Sequence, residues 1–336
     1  MMSIPTSLKD LLIFSLFMMM VYLFFFGDEA LIQTIGIALS SDGKAVFILF
    51  LGIFLEALPF LLLGAFASSI INVFVSEKAI AKLIPKNPVA GILMGLVAAV
   101  ITPVCECAII PVVRRLIQKG VPLHVGVVLL MGAPILNFIV FGSTFFAFQN
   151  HPAIIYGRFI VCILAAIIVS AFIYLFFGKD RVLKTQREDL MNGVQVNVNK
   201  GDSKWKGILH HTCHEFFTVG KFFMIGALFA SVAQLYLQGS AFVQTAENTF
   251  QGTAVMMGLA YLLSLCSEAD AFVAASFSKI FSSHAILGFL VFGPILDFKN
   301  TFVMLASFKI KFVAFFIMLV TIVVFALSII VGNFLI

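Results

Sequence analysis

Charge is what this sequence lacks most. Only 11% of its 336 residues are Asp, Glu, Lys or Arg, while 62% are hydrophobic. Soluble domains are about a quarter charged and about half apolar. So few charges cannot clothe a water-facing surface, which excludes a soluble globular domain and predicts an all-α polytopic membrane protein. Tryptophan is nearly absent, one residue against 40 phenylalanines; this suits lipid-facing and helix-packing surfaces and identifies no substrate. Cysteine is scarce too, and the five at 105, 107, 162, 213 and 266 form no secreted disulfide framework. The chain has no Walker loop, no glycine-rich dinucleotide loop and no HExxH pair. Primary ATP-driven pumping within the chain is therefore excluded. No enzyme activity, no cofactor and no nucleic-acid partner are expected.

Apolar segments fall at about 11–26, 45–75, 88–104, 123–148, 152–177, 208–238, 252–266, 284–308 and 311–335. The first lacks a small-residue cleavage site and reads as an anchor helix rather than a signal peptide. Segments 88–104 and 252–266 are short, and each is followed by an amphipathic piece, 105–119 and 267–281. The basic residues decide how these pairs sit. If each pair returns to its own side as a hairpin, then Lys82, Lys86, Arg114, Arg115, Lys119 and the polar stretch 178–207 all face the cytoplasm. Acidic loop 27–44 and the Lys/Arg-free loop 239–251 then lie outside, and Lys279 is the one mild exception. The expected topology has the N-terminus inside, seven full spans, two re-entrant or broken hairpins and the C-terminus outside. The expected organisation is an anchor helix and outer loop over 1–44, transmembrane repeat 1 over 45–177, a cytoplasmic linker over 178–207 and repeat 2 over 208–336.

The two repeats are legible as motifs. "LLLGAFASS" (61–69) matches "FMIGALFAS" (223–231), "CECAIIP" (105–111) falls where "CSEADAF" (266–272) falls, and "GAPILN" (132–137) matches "GPILD" (293–297). Ser68 precedes Cys105 by 37 positions and Ser231 precedes Cys266 by 35; Cys105 precedes Pro134 by 29 and Cys266 precedes Pro294 by 28. Three spans and one hairpin per half are an odd number of crossings, so the second half enters the membrane inverted. That is the architecture of secondary transporters, in which discontinuous helices meet at a midplane site.

Polar residues inside apolar segments are few: Glu56, Ser68, Ser69, Thr102, Cys105, Glu106, Cys107 and Asn137 in the first half, Ser231, Cys266, Ser267, Glu268, Asp270 and Asp297 in the second. A carboxylate at mid-bilayer costs roughly 2.5–3.5 kcal/mol, so it faces a cavity, a partner or an ion rather than lipid. Pro103, Pro134 and Pro294 each remove a backbone donor beside one of these polar residues. Freed helix ends of this kind receive solute or coupling ion in transporters. Glu56 with Pro59 is a fainter version. The bland alternative is a buried hydrogen-bond network that joins the two halves.

Thiolates at Cys105 and Cys107 would be soft ligands, while a buried cysteine is otherwise a small apolar residue, which suits Cys162. "HHTCHE" (210–215) places His210, His211, Cys213 and His214 at helical spacing for a divalent metal; interfacial histidines are the alternative. Arg114, Arg115 and Lys119 are expected to snorkel to the cytoplasmic surface.

The stretch "TPVCECAIIPVVRRLIQKGVPLHVGVVLLMGAPILNFIVFGS" (102–143) resembles the signature of the predicted-permease family often called YraQ-like, which includes organoarsenical efflux permeases. Weaker similarity runs over most of 45–335. The resemblance implies a secondary permease of the bacterial cytoplasmic membrane, and in its arsenical branch cysteines matching Cys105 and Cys107 contact trivalent arsenic. This chain departs from the pattern with Phe138 after the asparagine, a single Cys266 in the second half, and added Asp270 and Asp297. Some members are encoded beside a small membrane protein with an extracytoplasmic domain, which implies a two-component permease.

These readings together predict a secondary-active permease, an exporter of a small-molecule or soft-metal solute, coupled to a proton or another ion. Its site would comprise Glu56, Thr102, Cys105, Glu106, Cys107, Asn137, Cys266, Glu268, Asp270 and Asp297. The alternative is a membrane thiol–disulfide conductor that uses Cys105, Cys107 and Cys266.

Overall fold

A helix must run about 20 residues to cross the roughly 30 Å hydrocarbon layer, and helix length alone divides this chain into two kinds of element. The computed structural model describes residues 41–74, 87–102, 104–177, 182–183, 204–237, 248–278 and 280–335. The anchor helix expected at 11–26, Pro103, Lys279 and most of the 178–207 linker lie outside them. Among the described residues the long helices are α1 (Ser41–Phe74), α6 (Pro152–Phe177), α7 (Lys204–Leu237) and α12 (Ile310–Leu335). The short ones are α2 (Pro88–Ile101), α3 (Glu106–Gln118), α4 (Leu123–Gly132), α5 (Phe138–Ala147), α8 (Thr249–Leu263), α9 (Ala269–Phe277), α10 (Ser283–Ile295) and α11 (Phe298–Ser307). There is no strand among these residues, only one bridge between Leu183 and Phe308. Five helical segments, Gly43–Ile71, Pro152–Phe177, His211–Leu235, Ser283–Ser307 and Ile310–Leu335, are long and apolar enough to cross a membrane. The protein is an all-α polytopic membrane protein.

The helix breaks expected beside Pro134 and Pro294 are present. Residues 123–148 do not form one continuous helix; α4 stops at Gly132 and α5 starts at Phe138. Pro134 cannot continue the hydrogen-bond ladder, and Asn137 starts the next helix by accepting Val140 N–H at 2.9 Å. The same device recurs 160 positions later, where Asp297 caps α11 by accepting Asn300 N–H at 2.6 Å, just after Pro294 ends α10. An asparagine or aspartate oxygen satisfies a donor that the break would otherwise leave bare.

Packing is largely reciprocal between the first six helices and the last six. α1 lies along α7 and α6 along α12. α4 rests on α2 and α6, as α10 rests on α8 and α12. The short helix α3 reaches across to α11, and its counterpart α9 reaches across to α5. Exchanging the first six helices for the last six maps these pairs onto each other, so the broken elements of each half meet those of the other. The exchange is imperfect: α1 carries α3, whereas α7 carries α11, and α10 also lies against α6. Glycine makes both approaches. A Cβ on Gly64 would lie 2.6 Å from Ala108 Cβ, and one on Gly226 would lie 2.7 Å from Lys299 Cα. These glycines hold the same place in the repeated "LLLGAFASS" and "FMIGALFAS" motifs.

The α6–α12 seam is filled by residues at helical spacing, among them Val161, Ala165 and Val169 on α6 and Phe312, Phe316 and Val320 on α12, all 0–1% exposed. Among the described residues the linker meets this body where Lys309 N–H donates to the Val182 carbonyl at 2.9 Å, beside the Leu183–Phe308 bridge.

Candidate functional site

Two helix ends create the site. α8 ends at Leu263, and Ser264 turns left-handed at φ 48°, ψ 45°, the one non-glycine positive φ among the described residues. A side chain in that region costs about 1–2 kcal/mol, and the turn has consequences. It presents the Ser264 carbonyl to Lys299 Nζ, which donates to it at 2.6 Å, and its Oγ to Phe298 N–H at 3.1 Å. In the first half, α2 ends at Ile101, Thr102 Oγ1 donates to the Ala98 carbonyl at 2.6 Å, and α3 restarts after an extended Cys105.

Lys299 stands at the centre. Its ammonium is 3.4 Å from Glu106 Oε1 and 3.3 Å from Asp297 Oδ2, and the three side chains are 4%, 3% and 0% exposed. Glu106 Oε2 accepts from Ser267 Oγ at 3.2 Å. In front of this cluster lies a small cleft. Ile53, Ala57 and Phe60 of α1 form its apolar wall; Glu56, Cys105, Glu106, Cys107, Cys266 and Lys299 form the rest. The three cysteines are free thiols, and Cys266 Sγ donates to Glu268 Oε2 at 2.8 Å.

A second ion pair sits behind the 264–268 link. Arg158 is 0% exposed. Its Nη2 donates to Asp270 Oδ1 and Oδ2 at 3.0 and 2.9 Å and to the Ser267 carbonyl at 3.2 Å, and its Nη1 donates to Thr144 Oγ1 at 2.7 Å. Asp270 thus belongs to a strut joining α6, α5 and α9, and the cleft is lined by other residues. Ser267 touches both clusters, its hydroxyl serving Glu106 and its carbonyl Arg158.

Seven of the candidate positions therefore converge: Glu56, Cys105, Glu106, Cys107 and Cys266 on the cleft, Asp297 behind Lys299, and Glu268 on Cys266. Thr102 and Asn137 do not join them. Thr102 closes α2, and Asn137 is used by its own break, donating from Nδ2 to the Ala133 carbonyl at 3.1 Å while Oδ1 caps α5. Asn137→Ala is expected to cost about 1 kcal/mol of stability, as cap losses do, and to leave solute affinity within twofold; thermal unfolding and ligand titration of the purified variant check both.

Neither Lys299 nor Arg158 belongs to a motif, yet both carry a signal in the sequence. Each is a cation inside an apolar run that otherwise holds almost no charge, and buried acids require partners. The expected snorkelling of Arg114 and Arg115 is corrected. Arg114 is 5% exposed, and Arg115 Nη2 pairs with Glu215 Oε2 at 2.9 Å. The buried carboxylate of Glu215 holds Arg115 at the α3–α7 contact. The same pair occupies the acid of "HHTCHE", whose Cys213 and His214 are exposed. The side chain of His210 lies outside the described residues. Among the described residues no group of three or more His, Cys, Asp or Glu is placed to hold a metal ion.

Broken helices around a buried ionic cleft are a transporter's geometry, and the comparison with known proteins agrees. The profile described as "Predicted permease" matches residues 44–333. The chain belongs to this family. This permease is 41% identical over 285 residues to UPF0718 protein YcgR of Bacillus subtilis (strain 168), a match covering 85% of the chain and 96% of that protein. It is 35% identical over 284 residues to a Streptococcus mutans protein bearing the name of a two-component membrane permease complex subunit, covering 84% and 94%. No solved structure matches it.

Proposed function

We propose that this membrane permease is secondary-active, that it moves a small solute outward across the bacterial cytoplasmic membrane, and that the solute binds in the cleft before Glu106 and Lys299. The observation that carries the reading is the convergence of both repeats' helix breaks on one ionic cluster with an adjoining cleft. A buried charge cluster costs more than it returns as a fastening alone, whereas a solute site needs polar groups that can exchange partners. An inverted relation between the repeats would let one half rock against the other around this point. A proton or another ion supplies the energy, and a small membrane partner with an extracytoplasmic domain completes a two-component assembly; the name of the Streptococcus relative favours the latter.

The test is a ligand-stability screen of the purified chain across organic cations, soft metals, arsenicals and organic acids. A ligand that binds the folded state raises its melting temperature by mass action, about 2.7 kcal/mol at a hundredfold excess over Kd. At least one solute should do so, and Glu106→Gln should abolish the shift. A full shift in that variant places binding elsewhere. One observation favours a second reading: Cys105, Cys107 and Cys266 share the cleft as free thiols, as a thiol–disulfide conductor would require. Unchanged function after replacing all three by alanine would end it.

A further inference from the structure

The solute class follows from what already occupies the site. Lys299 is in the first turn of α11, two residues past its cap. Helix N-termini favour anions and disfavour cations, so the ammonium does not serve the helix it belongs to. It is surrounded as a bound cation would be, by a carboxylate from the first repeat, a carboxylate from its own break and the Ser264 carbonyl. The next residue, Asn300, is 1% exposed and has both side-chain amide atoms without a hydrogen-bond partner. Glu56, Glu106 and Asp297 set three carboxyl groups against one ammonium, an excess that repels anions. The opposite wall of Ile53, Ala57 and Phe60 is apolar. The titratable groups facing Lys299 are Glu106 and Cys107 of α3, Cys266 of the α8–α9 link, Asp297 of its own break and Glu56 of α1. α8 adds Tyr261, whose hydroxyl donates to Thr301 Oγ1 at 3.1 Å, and α7 presents Gly226.

We infer that Lys299 holds the place of the solute's charge until solute binds, that the solute is an organic cation with an ammonium-like head and an apolar body, and that its entry expels a proton from Lys299. The inference rests on the permease reading and extends it to a substrate class and a coupling group. The solute's head takes the oxygens of Glu106 and Asp297, and those carboxylates no longer hold the lysine's charge. One N–H bond of Lys299 breaks, its electron pair stays on Nζ, and the proton leaves to water entering the cleft. One cation is exchanged for one proton, and nothing is oxidised or reduced.

Propylammonium, which stays protonated between about pH 6 and pH 8.5, is the probe. Calorimetry on the full chain in two buffers of different ionisation enthalpy counts the protons released. The wild type should release close to one proton and bind about tenfold more tightly per pH unit of increase, because proton release and affinity are linked. Lys299→Met should bind at least tenfold more tightly at about pH 7 and release none. If that variant does not fold, Lys299→Met with Asp297→Asn, which removes the charges as a pair, should still bind without release. Affinity independent of pH in the wild type, proton release that survives in the variant, or tighter binding of propionate than of propylammonium would each overturn the inference. Flux into proteoliposomes is measured separately: binding with proton release but no flux would sink the permease reading alone, and flux without proton release would sink this inference alone.

Discussion

Arg158→Met is expected to destabilise the protein by about 3–5 kcal/mol, the usual cost of removing one partner from a buried ion pair. The guanidinium is 0% exposed and holds four acceptors on three elements: both oxygens of Asp270, the Ser267 carbonyl and Thr144 Oγ1. Methionine fills most of the volume but leaves the Asp270 carboxylate, 2% exposed, with nothing to offset its desolvation. The double variant Arg158→Met with Asp270→Asn should recover most of the loss, since replacing both charges removes the uncompensated one. Denaturation midpoints of the three proteins in one detergent check this. A single variant that loses less than about 1 kcal/mol, or a double variant that recovers nothing, would show that the strut is not a mutually dependent pair.

Gly226→Leu should have the second largest effect, on stability and on the site together. A Cβ at this position lies 2.7 Å from Lys299 Cα and 3.1 Å from its carbonyl oxygen. Those are backbone atoms and cannot rotate aside, so α11 must move off α7. Overpacking of this kind costs about 1–3 kcal/mol. The same movement withdraws Lys299 from Glu106, so solute affinity should fall at least tenfold although Gly226 does not line the cleft. Gly52→Ala is the control. A Cβ there meets nothing within 4 Å, and exchanging a helical glycine for alanine gains about 0.5–1 kcal/mol. Equal effects from the two substitutions would mean that the close approach at Gly226 has no special role.

Membrane class, the helical fold and the existence of the breaks were legible because each rests on a local signal. Apolar run length reports spans, and a proline beside a polar residue reports a discontinuity. Three motifs suggested a repeat, and the structure packs α3 on α11 and α9 on α5. The partners of the buried acids were not. Glu106 and Lys299 are 193 positions apart and Arg158 and Asp270 are 112 apart, and no local pattern encodes a pairing set by how two halves interleave. Asn137 and Asp297 show the limit from the other side. They look equivalent in sequence and cap their helices identically, yet Asp297 also faces an ammonium because position 299 is lysine where the first repeat has Ile139. One residue thus turns a shared structural cap into part of the ionic cluster.

The central claim is that solute passes through the cluster of Glu106, Asp297 and Lys299. Flux of the solute found by the stability screen, measured in proteoliposomes for the wild type and for Glu106→Gln with Asp297→Asn, tests it most directly. Both substitutions keep side-chain shape and remove only charge. With folding verified by an unchanged elution profile, the account predicts that flux falls at least a hundredfold. Flux within twofold of the wild type would contradict it.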